Sequence, residues 1–266
     1  MSHGTAFKIG NPGCACCGLC ACYPFDGNGH DAISSKNLTA TEESYAPGVM
    51  DKAASFTGSS HYSHAHDDCF SPAASDDVWR MWFWIKSVTD PPHSPTFGYQ
   101  GVITKGNLNY VYGSPPSISF DGEWGVFYRD GGVSGPDLLF VYKSDVIANG
   151  IFGATGLIEG HQYFFHWQIN NTTKAAALTA WNATTNVPVP IPSGLSGSSP
   201  PSTSITGTMS VDESMPLRIG QNGGAAGQIL ANNGLILIDN VGFSHHPGLA
   251  DNLYNLGAGK RCPYAG

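Results

Sequence analysis

Side chains able to do chemistry gather in three places along this chain. The densest is Cys14-Ala-Cys16-Cys17-Gly-Leu-Cys20-Ala-Cys22, with two further thiols at Cys69 and Cys262. Three chemistries suit that spacing: a thiolate cluster around a metal such as zinc, disulfides within the segment or out to Cys69 and Cys262, or cross-links between copies of the chain. Adjacent cysteines such as Cys16 and Cys17 rarely bond each other, because so small a ring is strained. Seven is an odd number, so at least one thiol is free, binds metal or pairs with another chain.

The second place is His61-Tyr-Ser-His64-Ala-His66-Asp67-Asp68-Cys69. On a strand His64 and His66 would face the same way and could chelate a transition metal, although the spacing matches no established site. The competing reading is an exposed polar loop that holds no ion.

The third is the set of carboxylates. Glycoside hydrolysis uses two of them on opposite sides of the scissile bond. The five glutamates are Glu42, Glu43, Glu123, Glu159 and Glu213, and none lies four or five residues from another. Asp121 and Glu123 would share one strand face, and Asp212 with Glu213 falls in a turn-like stretch; these read as solvated loop carboxylates. There is also no Gly-x-Ser-x-Gly elbow, phosphate loop or His-Glu-x-x-His helix. The expectation is a protein that is not an enzyme.

The elements that would carry these residues are strands. Gly 34, Pro 18, 11% aromatic and only 12% charged residues describe a chain of short strands and tight turns rather than helices. In Val78–Val88, Val78, Arg80, Trp82, Trp84 and Lys86 share one face, and Trp79, Met81, Phe83, Ile85 and Ser87 the other. Both faces are largely apolar, which suits a central strand. Further strands are expected at Gly101–Lys105, Ile118–Phe120, Trp124–Arg129, Leu138–Tyr142, Gln162–Asn170, Ala176–Asn182, Leu217–Gly220 and Leu235–Ser244, about a dozen in all. Pro188–Ser204 reads as a long surface loop, and short helical turns are expected only near Gly248–Leu256. The organisation is a Cys-rich arm, 1–22, and one β-sandwich domain, 23–266.

Charge and hydropathy exclude some partners. Lys+Arg 12 against Asp+Glu 20 gives −8, which repels nucleic acid and anionic membrane surfaces. No run approaches the roughly 18 apolar residues of a membrane span. No basic region followed by an apolar run opens the chain, so either the usual secretory route is not used or a signal preceded Met1; a natural Met1 favours the first.

Several segments together resemble the laminin G-like branch of the concanavalin A-like lectin/glucanase superfamily. Tyr23-Pro-Phe-Asp26-Gly27-Asn-Gly-His-Asp31, Tyr45-Ala-Pro-Gly48 and Lys52-Ala-Ala-Ser-Phe56-Thr-Gly58 look like its first strand pair. Val78–Val88 is similar to its aromatic core strand. His161–Trp167 with Ala177–Asn182, then Leu217-Arg-Ile-Gly220, Ile236–Phe243 and Leu253–Gly257, are similar to its later strands and tail. The resemblance spans roughly residues 23–260 and rests on the order of these motifs.

The resemblance implies an all-β, two-sheet antiparallel jelly-roll sandwich with its first strand beside its last. It also implies a structural calcium held by Asp26, backbone oxygen near Gly27, and Asp239, against the plain alternative that Asp239 accepts backbone hydrogen bonds. Glycan recognition would use exposed rings, for which the turn-rich stretches offer Tyr99, Tyr110, Tyr112, Trp124 and Tyr128, unless those rings are core. The functional expectation is a glycan- or surface-binding module on a phage particle or extracellular structure. Its alternative is a decoration or assembly protein of a virion or filament, anchored by the cysteine arm and forming a homo-oligomer or larger assembly. A hydrolase or lyase stands third.

Overall fold

The structure is a computed structural model, and the residues it describes are 19–49, 51–57, 60–72, 78–87, 99–111, 117–129, 137–146, 150–154, 156–189, 205–221 and 235–245. Their strands form two antiparallel sheets. Sheet A runs β13 (Val187–Pro188), β12 (Ala175–Asn182), β11 (Gln162–Asn170), β6 (Val78–Ser87), β15 (Ile236–Ser244), β4 (Lys52–Phe56), β3 (Tyr45–Pro47), with β1 (Leu19–Tyr23) also on β15. Sheet B runs β10 (Gly150–Ala154), β9 (Asp137–Tyr142), β8 (Ser117–Arg129), β7 (Tyr99–Val111), β14 (Leu217–Ile219), β5 (His61–His64), β2 (Thr39–Thr41).

The two-faced pattern of β6 has its expected consequence. That strand lies between β11 and β15, with Trp79, Met81, Phe83 and Ile85 in the core between the sheets and Trp82 and Trp84 in a second cluster on the outer face of sheet A. Sheet B answers with Trp124, Val126, Tyr128, Leu138 and Phe140. Rings knit the layers together: Phe140 stacks on Trp167 of sheet A at 4.4 Å and on Trp124 at 5.9 Å. Burying each such ring is worth about 1.5–3 kcal/mol, so this core dominates the favourable side of folding.

Among the described residues plain alternation breaks at four β-bulges; one makes Val102 the extra residue of β7, and the other three bear on the site. In β8, Trp124 opposes Lys105 and Gly122 opposes Gly106, so Glu123 is the extra residue. In β1, Leu19 opposes Ser244 and Ala21 opposes Phe243, so Cys20 is extra. In β15, Asp239 opposes Trp84 and Gly242 opposes Trp82, with Asn240 between them in the left-handed region at φ 48°. Gly122 shows why glycine is needed at the β8 bulge: its φ is 129°, and a Cβ there would sit 2.4 Å from Gly106 Cα.

Several sequence expectations change. Leu19–Cys22, read as the end of an arm, are strand, so a boundary at residue 22 falls inside β1. Ala21 and Tyr23 supply the reason, since both are fully buried in the core. Ile118–Phe120 and Trp124–Arg129 merge into β8 because the bulge at Glu123 leaves Gly122 paired with Gly106 and the strand unbroken. A 3-10 turn stands at Asp68–Phe70, where no helical turn was expected. Gly248–Leu256, Cys14, Cys16, Cys17, Cys262 and most of Pro188–Ser204 lie outside the described residues. The pairing of β1 with β15 agrees with the terminal-strand arrangement that the resemblance implied.

Candidate functional site

The polar residues after β5 form a plug between the sheets. Asp67 caps the 3-10 turn by accepting from Cys69 N (2.9 Å), as a short acidic side chain does at a helix start. Indoles from both sheets hold the turn: Trp79 Nε1 donates to Cys69 O (3.2 Å) and Trp124 Nε1 to Phe70 O (2.8 Å). Phe70 fills the space between and meets Phe243 edge-on.

On the sheet B side of the plug sits a buried ionic network. Lys105 Nζ lies 3.0 Å from Glu123 Oε1, 2.8 Å from His66 Nδ1 and 3.0 Å from Ser71 Oγ. Ser71 Oγ and Asp212 N also donate to Glu123 Oε1, at 3.1 and 2.8 Å. Glu123, Lys105 and Ser71 are wholly buried. Glu123 is therefore no solvated loop carboxylate, and the bulge is the reason: it turns Glu123 inward beside Trp124. Asp121, two residues earlier, remains exposed and pairs with Lys143 at 3.3 Å. The network ties plug to sheet, with Lys105, Glu123 and Ser71 wholly out of contact with solvent and His66 at its partly exposed edge.

The two candidate imidazoles are engaged separately. His66 faces Lys105 through Nδ1 and Asp68 through Nε2 (3.3 Å), while His64 Nδ1 lies 2.7 Å from Ala65 O with its ring edge-on to Phe70. Among the described residues, no three His, Cys, Asp or Glu side chains gather as a metal site.

On the sheet A side, Cys20, Cys69 and His245 meet. Cys20 Sγ is 3.8 Å from Cys69 O, and His245 Nε2 is 3.1 Å from the same oxygen. A hydrogen bond from Cys69, reinforced by His245, outweighs burial and lowers the Cys20 thiol to about 6. Burial and the neighbouring Cys20 push the Cys69 thiol far up. Burial lowers His245, but its contact with Cys20 more than offsets this and leaves it raised. Lys36 closes the group with an ion pair to Asp67 at 3.2 Å. Cys22, one face over, is fully buried against Trp82, Trp84 and Phe164 and is disulfide-bonded, its partner lying outside the described residues.

Asp239 organises the β3–β4 hairpin. Its Oδ2 accepts from Val49 N and its Oδ1 from Asn240 Nδ2, both at 2.8 Å. The chain passes so close that a Cβ on Gly48 would lie 2.6 Å from that carboxylate. Asp26 and Gly27 occupy a separate turn, with Gly27 at φ 103° and the Lys52 side chain lying against it.

The hairpin that Asp239 pins carries an open cleft of about 330 Å³, lined by Tyr45, Ala46, Pro47, Asp51 and Lys52. Tyr45 is half-buried, and its hydroxyl is hydrogen-bonded to that of Tyr62, which fixes the ring. Asp51 and Lys52 are exposed, and Asp51 sits at φ 140°, a strained position for a residue with a side chain. Gly48 N bonds Asp51 O at 3.1 Å and sets the turn. The arrangement offers a fixed ring, a carboxylate, an ammonium and proline-bounded backbone around one concavity. Sequence reasoning passed over it; the available signal was an aromatic residue leading into Pro-Gly and followed shortly by Asp-Lys.

Of the expected ligand-contacting rings, Trp124 and Tyr128 are core, 0% and 1% exposed, which corrects their reading as surface aromatics. Both share the inward face of β8 with Val126. Tyr99 opposes Arg129 and Tyr110 opposes Ile118 in the β7–β8 ladder, but their side chains, like Tyr112, lie outside the described residues.

Among solved structures, the botulinum neurotoxin serotype D binding domain matches 86% of this chain and 48% of its own, with TM-score 0.50 and 12% identity. The fold is thus a two-sheet antiparallel β-sandwich. Botulinum neurotoxin type C, described as dependent on two ganglioside molecules for entering cells, matches the same shares with TM-score 0.49 and 11% identity. Trypanosoma rangeli sialidase matches 86% of this sandwich and 31% of its own chain, with TM-score 0.49 and 14% identity. The sandwich thus spans about half or less of the solved chains it matches. No family model and no curated protein sequence matches it.

Proposed function

We propose that this sandwich is a non-catalytic glycan-recognition module whose ligand sits in the β3–β4 cleft. The observation that carries the reading is the cleft itself, where a half-buried tyrosine ring held by Tyr62 stands beside the exposed Asp51 and Lys52. A fixed ring offers an apolar face to the C–H groups of a sugar at little entropic cost, and the charged pair and backbone meet its hydroxyls. The fold shared with a neurotoxin binding domain is in keeping with recognition. Glu123, the buried carboxylate with a cationic partner, is sealed from solvent, which argues against its serving turnover.

Screening the protein against immobilised glycans tests this. The expected result is saturable binding that Tyr45→Ala and Lys52→Gln both weaken. Binding that neither variant changes would move the site elsewhere, and no binding to any glycan would end the reading.

A second reading, assembly on a particle or extracellular surface, draws on the cysteines at 14–22 and the disulfide-bonded Cys22. Mass measurement with and without reductant separates it: covalent multimers favour assembly, and a monomer in both conditions favours recognition alone.

A further inference from the structure

Separate local devices bring Cys20 to Cys69, 49 residues on: Cys20 Sγ lies 3.8 Å from the Cys69 carbonyl oxygen, and the two side chains are hydrogen-bonded. The first is the bulge in β1. Strict alternation would put Cys20 on the side of Cys22, against the outer cluster; as the extra residue, Cys20 packs on the inner core instead. The second is the 3-10 turn, which fixes Cys69 through its N–H to Asp67 and its carbonyl to Trp79 and His245. Both thiols are unbridged, Cys69 is buried and Cys20 only partly so. Cys20 is therefore the more accessible of the two, with Cys69 buried behind it.

We propose that Cys20 and Cys69 are a paired-thiol modification site, which low-molecular-weight disulfides convert into a staple between β1 and the plug.

The chemistry balances as two exchanges. His245 takes the Cys20 proton, and the Cys20 thiolate attacks a small disulfide RSSR, forming the mixed disulfide Cys20–S–SR and releasing RS⁻, which leaves as RSH on protonation. Cys69 then loses its proton and attacks the Cys20 sulfur, displacing the second RS⁻ as RSH. The sum is two protein thiols plus RSSR giving one protein disulfide plus two RSH, with RSSR the oxidant. The order follows from exposure, and the lowered Cys20 thiol together with the raised Cys69 thiol supports it. Closure would tie the first described strand to the turn that both sheets grip, and so slow the peeling of β1 from β15.

The experiment is incubation of the folded protein with oxidised glutathione at pH 7, acid quench, alkylation of remaining thiols in denaturant, and peptide mapping. The expected product is a Cys20–Cys69 cross-linked peptide, with both thiols lost together. In Cys69→Ser the glutathione adduct should accumulate on Cys20. In Cys20→Ser modification of Cys69 should slow at least tenfold, and in His245→Gln the first exchange should slow severalfold at pH 7. Cys69 joined to a different cysteine, Cys69 left alkylatable, or an unchanged Cys69 rate in Cys20→Ser would each overturn the proposal. The wild-type map needs no variant to fold, so the test stands even if a substitution disturbs the strand.

Discussion

Lys105 Nζ and Glu123 Oε1 stand 3.0 Å apart with neither residue exposed to water. The pair exists because a bulge sends Glu123 inward on β8 opposite the inward-facing Lys105 of β7, where the plug supplies Ser71 and His66 as further partners. Breaking such a pair from one side strands a charge in the interior. Glu123→Leu and Lys105→Met should therefore each cost about 3–5 kcal/mol of stability. The double variant should lose clearly less than their sum, which urea denaturation will show. Strict additivity would mean the two charges do not depend on each other.

His166, on β11, gives a pH signature. Burial, reinforced by the Arg80 guanidinium, lowers its imidazole to about 4. The folded protein refuses the proton that the unfolded chain accepts near pH 6.5, so no stability is lost above that pH and it falls progressively as pH drops toward 4. The effect is on the order of 3 kcal/mol. His166→Gln should flatten the stability profile between pH 6.5 and 4, and an unchanged slope would assign it to other groups.

The fold was legible from its period-two pattern. Val78–Ser87 declares which residues face the core because both neighbours of β6 pair without interruption alongside Trp84–Ile85, and β11 does so along the whole strand. What could not be read were the positions where the pattern slips by one. Glu123 reads as a solvated carboxylate and Trp124 as a surface ring, and on a regular strand Cys20 would share the face of Cys22; in each case a bulge in the ladder changes the face. The cleft was missed for a different reason. Tyr45, Asp51 and Lys52 converge only because Asp239, 190 residues beyond Val49, holds the hairpin turn. Asp239 is legible in the sequence as an acceptor of backbone hydrogen bonds, and Val49 N is the donor.

That anchor leads to a further expectation. Asp239→Ala removes the acceptor of Val49 N in a largely buried setting and should cost about 1–3 kcal/mol. Amide exchange at Val49 and across β3 should accelerate more than in β11, which hydrogen-exchange mass spectrometry resolves. Equal acceleration in both strands would show that Asp239 supports the whole sheet and not the hairpin alone.

Gly122 offers a backbone test of the bulge. Gly122→Ala forces a Cβ onto Gly106 at positive φ and should destabilise the protein by more than about 1 kcal/mol. A neutral substitution would show that the β7–β8 ladder can pair without it.

The most direct test of the central claim is a calorimetric titration of wild-type protein and of Lys52→Gln and Tyr45→Ala with the glycan that binds best on an array. Recognition through the β3–β4 cleft predicts a saturable single-site isotherm and an affinity loss of about tenfold or more in Tyr45→Ala, with a smaller loss in Lys52→Gln. Wild-type affinity in both variants, with their melting temperatures unchanged, would contradict it.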